Sequence, residues 1–220
     1  MRLFKKYWIR ACMRFSGPGP VGRVAARLAV LFVPPFYGRV FLARVTGKGF
    51  ISPTATIWHP DLVLGANCFI DDDVTIYRDM NGGMVDLANG VLIFRGTTIQ
   101  TGEEGMVSIG ADTHIQPRCQ FSAYKGSISI GARVEIAPGC AFYPYNHGMA
   151  LNMPIRKQPV YSKAGITVGD DAWLGYGVIL LDGAQVGKGA VVGAGSVVTG
   201  HIPDGAIAVG SPAKVIGMRR

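Results

Sequence analysis

From Val168 to Val198 every sixth residue is aliphatic: Val168, Leu174, Leu180, Val186, Val192 and Val198. Glycine follows four of them, at Gly169, Gly175, Gly187 and Gly193. Four positions after each aliphatic stands Ala172, Val178, Ala184, Ala190, Ser196 or Ile202, small in four cases of six. An amphipathic helix repeats about every 3.6 residues and a strand about every two, so neither gives a period of six. A short strand and a turn, repeated on successive faces of a triangular coil, do. The pattern predicts an all-β fold, a parallel β-helix whose aliphatic residues point inward and stack about 4.8 Å apart. The small residue is expected to turn the corner, with glycine relieving backbone crowding there.

The same phase recurs upstream, with slips. Ile130, Ile136 and Phe142 form one set, Ile109, Ile115 and Phe121 a second, Leu87, Ile93 and Ile99 a third, and Leu64, Ile70 and Ile76 a fourth. The slips fall in turn-rich stretches such as Thr101–Met106 and Tyr124–Ser129, as corner insertions would. One gap is far larger: Phe142 and Val168 are 26 residues apart, so about 20 residues loop out between coils. Each coil leaves open strand edges until the next is added, so many coils are required. Cys68, Cys119 and Cys140 stand four after their aliphatics and are expected as small interior residues.

Charge separates the N-terminus from this body. Residues 1–48 hold ten of the 22 Lys and Arg and no acidic residue, leaving twelve basic against fourteen acidic side chains beyond them, a net of −2. Such an arm suits an anionic surface. Its interleaved Tyr7, Trp8, Phe15, Phe32 and Phe41 fit an interfacial helix better than a nucleic-acid patch. The apolar run Leu28–Tyr37 is about half a membrane span and is broken by Pro34 and Pro35. No small-x-small cleavage site closely follows it, which speaks against a removed signal. Peripheral contact with a membrane and plain stabilisation of an oligomer by helices both remain open for the arm. The division expected is an arm of residues 1–48, a β-helix of 49–210 with an inserted loop at 143–165, and a tail of 211–220. The four cysteines, Cys12 included, have no CxxC spacing, and free thiols suit the cytoplasm. No metal is expected, and Asp71, Asp72 and Asp73 are read as solvated corner residues.

Of the four histidines, His147 lies in the long excursion, where a rigid scaffold would place a functional loop. An imidazole there can accept a proton at neutral pH. His59 precedes Pro60 in a turn, His114 reads as a surface residue, and His201 sits exposed in the last coil.

Three pieces give a resemblance: Asn146-His147, then Asp171-Ala172-Trp173-Leu174-Gly175, then Gly210-Ser211-Pro212-Ala213-Lys214. With the period over roughly residues 50–217, the chain resembles the hexapeptide-repeat acetyltransferases, in their galactoside, xenobiotic and polysaccharide O-acetyltransferase branch. The resemblance implies a left-handed β-helix and a homotrimer with sites between subunits. It implies acetyl-CoA as co-substrate and a saccharide hydroxyl as acceptor, with His147 as general base beside Asn146. It also implies the backbone N–H of Tyr176 at the developing oxyanion, and contacts to CoA from Trp173, Gly175, Ala194, Thr199 and Lys214. The family often has Lys or Arg after the threonine; Gly200 stands there, which leaves Lys214 as the local cation for the 3′-phosphate. A soluble small acceptor and a non-catalytic scaffold are the alternatives.

Overall fold

The computed structural model describes residues 2–220. Three sheets run along a triangular prism, one of nine strands and two of seven, forming a left-handed β-helix of about seven coils behind N-terminal helices. The first face begins at Phe50–Ile51, the second at Thr56–Trp58 and the third at Leu62–Leu64. On the third face Leu64, Leu87, Ile109, Ile130, Val168, Val186 and Ile202 stack in parallel register. On the second, Ile57, Ile76, Ile99, Phe121, Phe142, Leu180 and Val198 do the same. Phe121 and Phe142 lie 4.2 Å apart and nearly parallel, at 8°. Each inward file is the six-residue period of one face read along the prism axis.

The corners differ from the expectation in one respect. The small residue does not turn the chain. The residue before it does, in the left-handed region: Asn67, Gly90, Asp112, Arg133, Asp171 and Gly189 on one edge, Asp73, Gly96, Arg118, Gly139, Gly177 and Gly195 on another. That reversal aims the next side chain into the narrow apex of the triangle, where Cys68, Cys119, Cys140, Ala172, Ala190 and Ser196 are buried. The apex has room for nothing larger than a short side chain, which is why these positions are small. The glycine directly after the aliphatic relieves crowding between coils: a Cβ on Gly175 would lie 2.7 Å from the Ala194 nitrogen.

All the slips share one edge. Between the second and third faces, Ile76 to Leu87 spans eleven residues, Ile99 to Ile109 ten, Phe121 to Ile130 nine and Phe142 to Val168 26, while Leu180 to Val186 spans six. The short insertions and the long excursion therefore leave the prism on the same side, one above another.

The arm folds as two helices, α1 (Arg2–Phe15) and α2 (Pro20–Val30), then a 3-10 segment, Phe36–Arg44. Gly17, Pro18 and Gly19 break the first helix from the second, and Pro20 starts the second where its missing N–H costs nothing. Met13, Ala26, Ala29 and Leu42 pack on Phe50, Phe69, Leu92 and Phe94, the outward residues of the first coils. This docking corrects the expectation for the aspartate run. Asp71 is buried, and burial pushes its carboxyl up. Asp72 takes two bonds from Arg39 Nη1, at 3.0 and 2.8 Å, and one from the Ser52 hydroxyl. Burial raises Asp72 too, but Ser52 and Arg39 outweigh it and hold the carboxyl below its usual range. Asp71 is buried and Asp72 part-buried against Arg39 of the arm, whereas Asp73 is exposed, as expected. At the other end Lys214–Met218 folds back antiparallel on Ala206–Val209. No helix among the described residues is long and apolar enough to cross a membrane.

Candidate active site

The excursion is held in shape from inside and at its base. Asn146–His147 pairs antiparallel with Val160–Tyr161, with Asn146 opposite Tyr161 and His147 opposite Val160. Beyond them, Gln158 is buried and acts as a staple: its Oε1 accepts the Ala150 N–H at 2.7 Å, and its Nε2 donates to the Ala150 and Met153 carbonyls at 2.8 and 2.7 Å. At the base, Asn146 Nδ2 donates to Asp182 Oδ2 at 2.8 Å. Asp182 also receives the Ser162 hydroxyl at 3.0 Å and the N–H groups of Lys163, Ala164 and Gly165 at 2.7, 3.2 and 3.1 Å. Burial alone would raise its carboxyl. The loop's donors outweigh burial and hold it below the usual carboxylate range. One carboxylate from the next coil thus ties both ends of the excursion to the prism.

His147 is exposed toward a cavity of about 270 Å³ lined by Asp79, Gln100, Ser122, Tyr124, Tyr145 and Val160. Asp79 and Tyr124 come from the insertions that precede the excursion on the same edge, so those insertions build the wall below the histidine. Tyr145 lies between Tyr124 and His147, with ring centroids 5.7 and 6.3 Å away. An outward file on the second face leads to this place: Trp58, Tyr77, Gln100, Ser122 and Tyr143 lie side by side on successive coils. It offers hydroxyl, amide and aromatic surface, the chemistry that matches a polyhydroxyl ring.

The other residues expected at the site lie elsewhere in the same chain. Tyr176 and Ala194 occupy the edge between the first and second faces, one coil apart. Their N–H groups donate to no acceptor among the described residues. Earlier coils place Pro117 and Pro138 at the corresponding corner position. Gly175 is wedged against the Ala194 backbone. Trp173 stands outward on the first face, in a cavity of about 510 Å³ with Arg133, Glu135, Asp171 and Arg219. Lys214 is exposed in the final strand, opposite Val209. Thr199 is exposed at the edge that also carries the excursion. One copy therefore brings together His147, Asn146 and the tyrosines, but not His147 with the Tyr176 and Ala194 donors.

Two of the remaining histidines are structural. His59 is buried, not free in a turn, with Nε2 2.9 Å from the Thr101 hydroxyl, and burial lowers its pKa. His114 is half-buried and pairs through Nδ1 with Glu135 at 2.9 Å. His201 is exposed, as expected. Asp182 is the residue that sequence reasoning missed. A lone aspartate before Gly183 looks like any turn residue.

Residues 165–200 match the profile of the bacterial transferase hexapeptide (six repeats). The match places the hexapeptide repeat of that transferase profile in the coils that follow the excursion. A probable acetyltransferase of Mycobacterium tuberculosis is 43% identical over 70 residues, covering 32% of this chain and 23% of its own length. The galactoside O-acetyltransferase of Lactococcus lactis is 43% identical over 61 residues, covering 28% and 30%. This hexapeptide-repeat chain thus aligns with less than a third of either relative. Among solved structures, the polySia specific acetyltransferase NeuO has a TM-score of 0.58 at 22% identity over 75% of this chain and 82% of that one. A mutant of AntD, an N-acyltransferase from Bacillus cereus in complex with dTDP and coenzyme A, has a TM-score of 0.54 at 22% identity, over 77% and 80%. At such identity the structures share the fold.

Proposed function

We propose that this hexapeptide-repeat chain is an acetyl-CoA-dependent O-acetyltransferase whose acceptor is a saccharide hydroxyl, with His147 as general base. The carrying observation is the placement of His147 on a loop that Asp182 and Gln158 fix, facing a cavity rich in hydroxyl and amide groups. Acetyl-CoA supplies the acetyl group as a thioester. His147 takes the proton from the acceptor hydroxyl as that oxygen attacks, then returns it to the departing sulfur. Asn146, anchored to Asp182, positions the histidine strand. The exposed N–H of Tyr176 is a fixed donor for the developing oxyanion, and that of Ala194, one coil on, suits the CoA arm. Lys214 is the local cation for the 3′-phosphate, Thr199 faces the nucleotide end, and Trp173 and Gly175 shape the coil that carries these donors. No step requires a metal.

Because the histidine and the two donors occupy different edges of one prism, the complete site forms between copies, most simply in a homotrimer. The excursion's exposed Met149, Leu151 and Met153 are apolar side chains that such a contact would cover. The relatives support the chemistry: the Lactococcus protein is named for O-acetylation of galactosides and NeuO for acetylation of polySia, whereas AntD is an N-acyltransferase. The test is free-thiol release from acetyl-CoA with matched hydroxyl and amino saccharides. His147→Ala, with an unchanged circular dichroism spectrum, should lower turnover at least about 100-fold. Unchanged turnover removes His147 from the mechanism, and a preference for amino sugars replaces O- by N-acetylation.

A further inference from the structure

We propose that the arm is a docking surface for an anionic lipid bilayer, with a slot beside α1 that takes a lipid hydrocarbon chain under three cationic side chains. The slot has a volume of about 420 Å³, within the range of small-ligand sites. Ile9, Phe32 and Val33 give it an apolar lining, and Lys5, Lys6 and Arg10 line it with charge. Lys5 Nζ lies 5.6 Å from the centre of the Phe32 ring, which places a cation directly at the apolar lining. An apolar slot edged by cations matches a molecule with a hydrocarbon chain and a phosphate.

The free side of α1 has the same character. Leu3, Phe4, Tyr7 and Phe15 of α1 are 62–70% exposed, an amount of aromatic and aliphatic area that soluble surfaces rarely leave in one place. They alternate with Lys6, Arg10 and Arg14, which are also exposed. Aromatic rings among cations are what the boundary between headgroups and hydrocarbon accommodates. Charge selects this occupant over a second copy of the chain. Two arms face to face would set Lys5, Lys6, Arg10 and Arg14 against the same cations of the other copy, with no acidic residue in either arm to pair with them, and the rest of the chain carries a net of only −2. An anionic leaflet supplies the missing negative charge. At 14 residues α1 lies on the bilayer and does not span it. This inference stands apart from acetyl transfer.

The experiment is cosedimentation of the full chain with vesicles of phosphatidylcholine alone and of phosphatidylcholine mixed with phosphatidylglycerol. The chain should pellet with the mixed vesicles and less so as salt rises. Lys6→Gln with Arg10→Gln should lower vesicle affinity about 30-fold, with turnover on a soluble acceptor and the circular dichroism spectrum unchanged. Phospholipid brominated on its acyl chain should quench Trp8, which abuts Phe32 at 6.4 Å between ring centroids; Trp8→Phe removes that component. Equal binding to both vesicle types, no binding, or arm-dependent self-association in its place overturns the docking surface. Binding without quenching of Trp8 overturns the slot.

Discussion

Asp182 carries more of the site's order than any other single side chain, since five donors from the excursion converge on it. Its folded carboxyl is held below the ordinary value of about 3.9. The clamp is therefore intact above that pH and is lost as pH falls through the depressed value. Hydrogen exchange at the Lys163, Ala164 and Gly165 amides should show this: protected at neutral pH, released in acid. Asp182→Ala should release them at every pH and cost about 3 kcal/mol, because the donors are left without an acceptor. Turnover should fall with it, and protection unchanged in the variant would show that the loop stands without the clamp. His147 was legible in the sequence and Asp182 was not, for a physical reason. The histidine announces itself by standing in the one long break of the period. The aspartate's meaning lies in a loop 17–20 residues earlier that only folding brings beside it.

At the level of the coil, the six-residue period predicted which side chains face inward, from Leu64 to Val198, because each face repeats the same inward geometry; Ile202, read as a corner residue, instead continues the third inward file after a shortened edge. It did not predict which residue turns the corner. The left-handed position is held by Asn, Asp, Arg and Gly in turn, so composition alone leaves it unmarked. Nor did it show that every slip falls on one edge, since that requires carrying the register through each insertion. The corner geometry supplies a clean test of the Tyr176 donor. Pro117 and Pro138 already occupy its position in earlier coils, so Tyr176→Pro removes the N–H from a turn that tolerates proline. Turnover should drop about 100- to 1,000-fold with the melting temperature nearly unchanged. A variant with full activity would place the oxyanion elsewhere.

Across the whole molecule, the arm's basic character was plain in the sequence, but its seat on Phe50, Phe69 and Leu92 was not, because those residues stand one before the inward Ile51, Ile70 and Ile93, on the outward side that the six-residue period does not mark. The proposed division of the site between edges has a direct consequence for mixtures. His147→Ala and Tyr176→Pro should each turn over slowly alone, yet mixed oligomers should regain part of the activity, each intact histidine edge meeting an intact donor edge. Mixtures as inactive as their parents would return the site to a single copy. The last strand, Lys214–Met218, has a different kind of consequence. Each of the three sheets of the prism is built by adding parallel strands along its length, and the first strand of each has a neighbour on one side only. A molecule built this way is a short length of fibre, liable to one-dimensional polymerisation by top-to-bottom addition. The antiparallel return stops that growth on the nine-stranded sheet by presenting a strand of the wrong direction. Removing residues 211–220 should leave the coils folded but yield filaments in electron micrographs, with light scattering that rises with concentration; a monodisperse truncation would mean that the chain end was never what kept the prism finite.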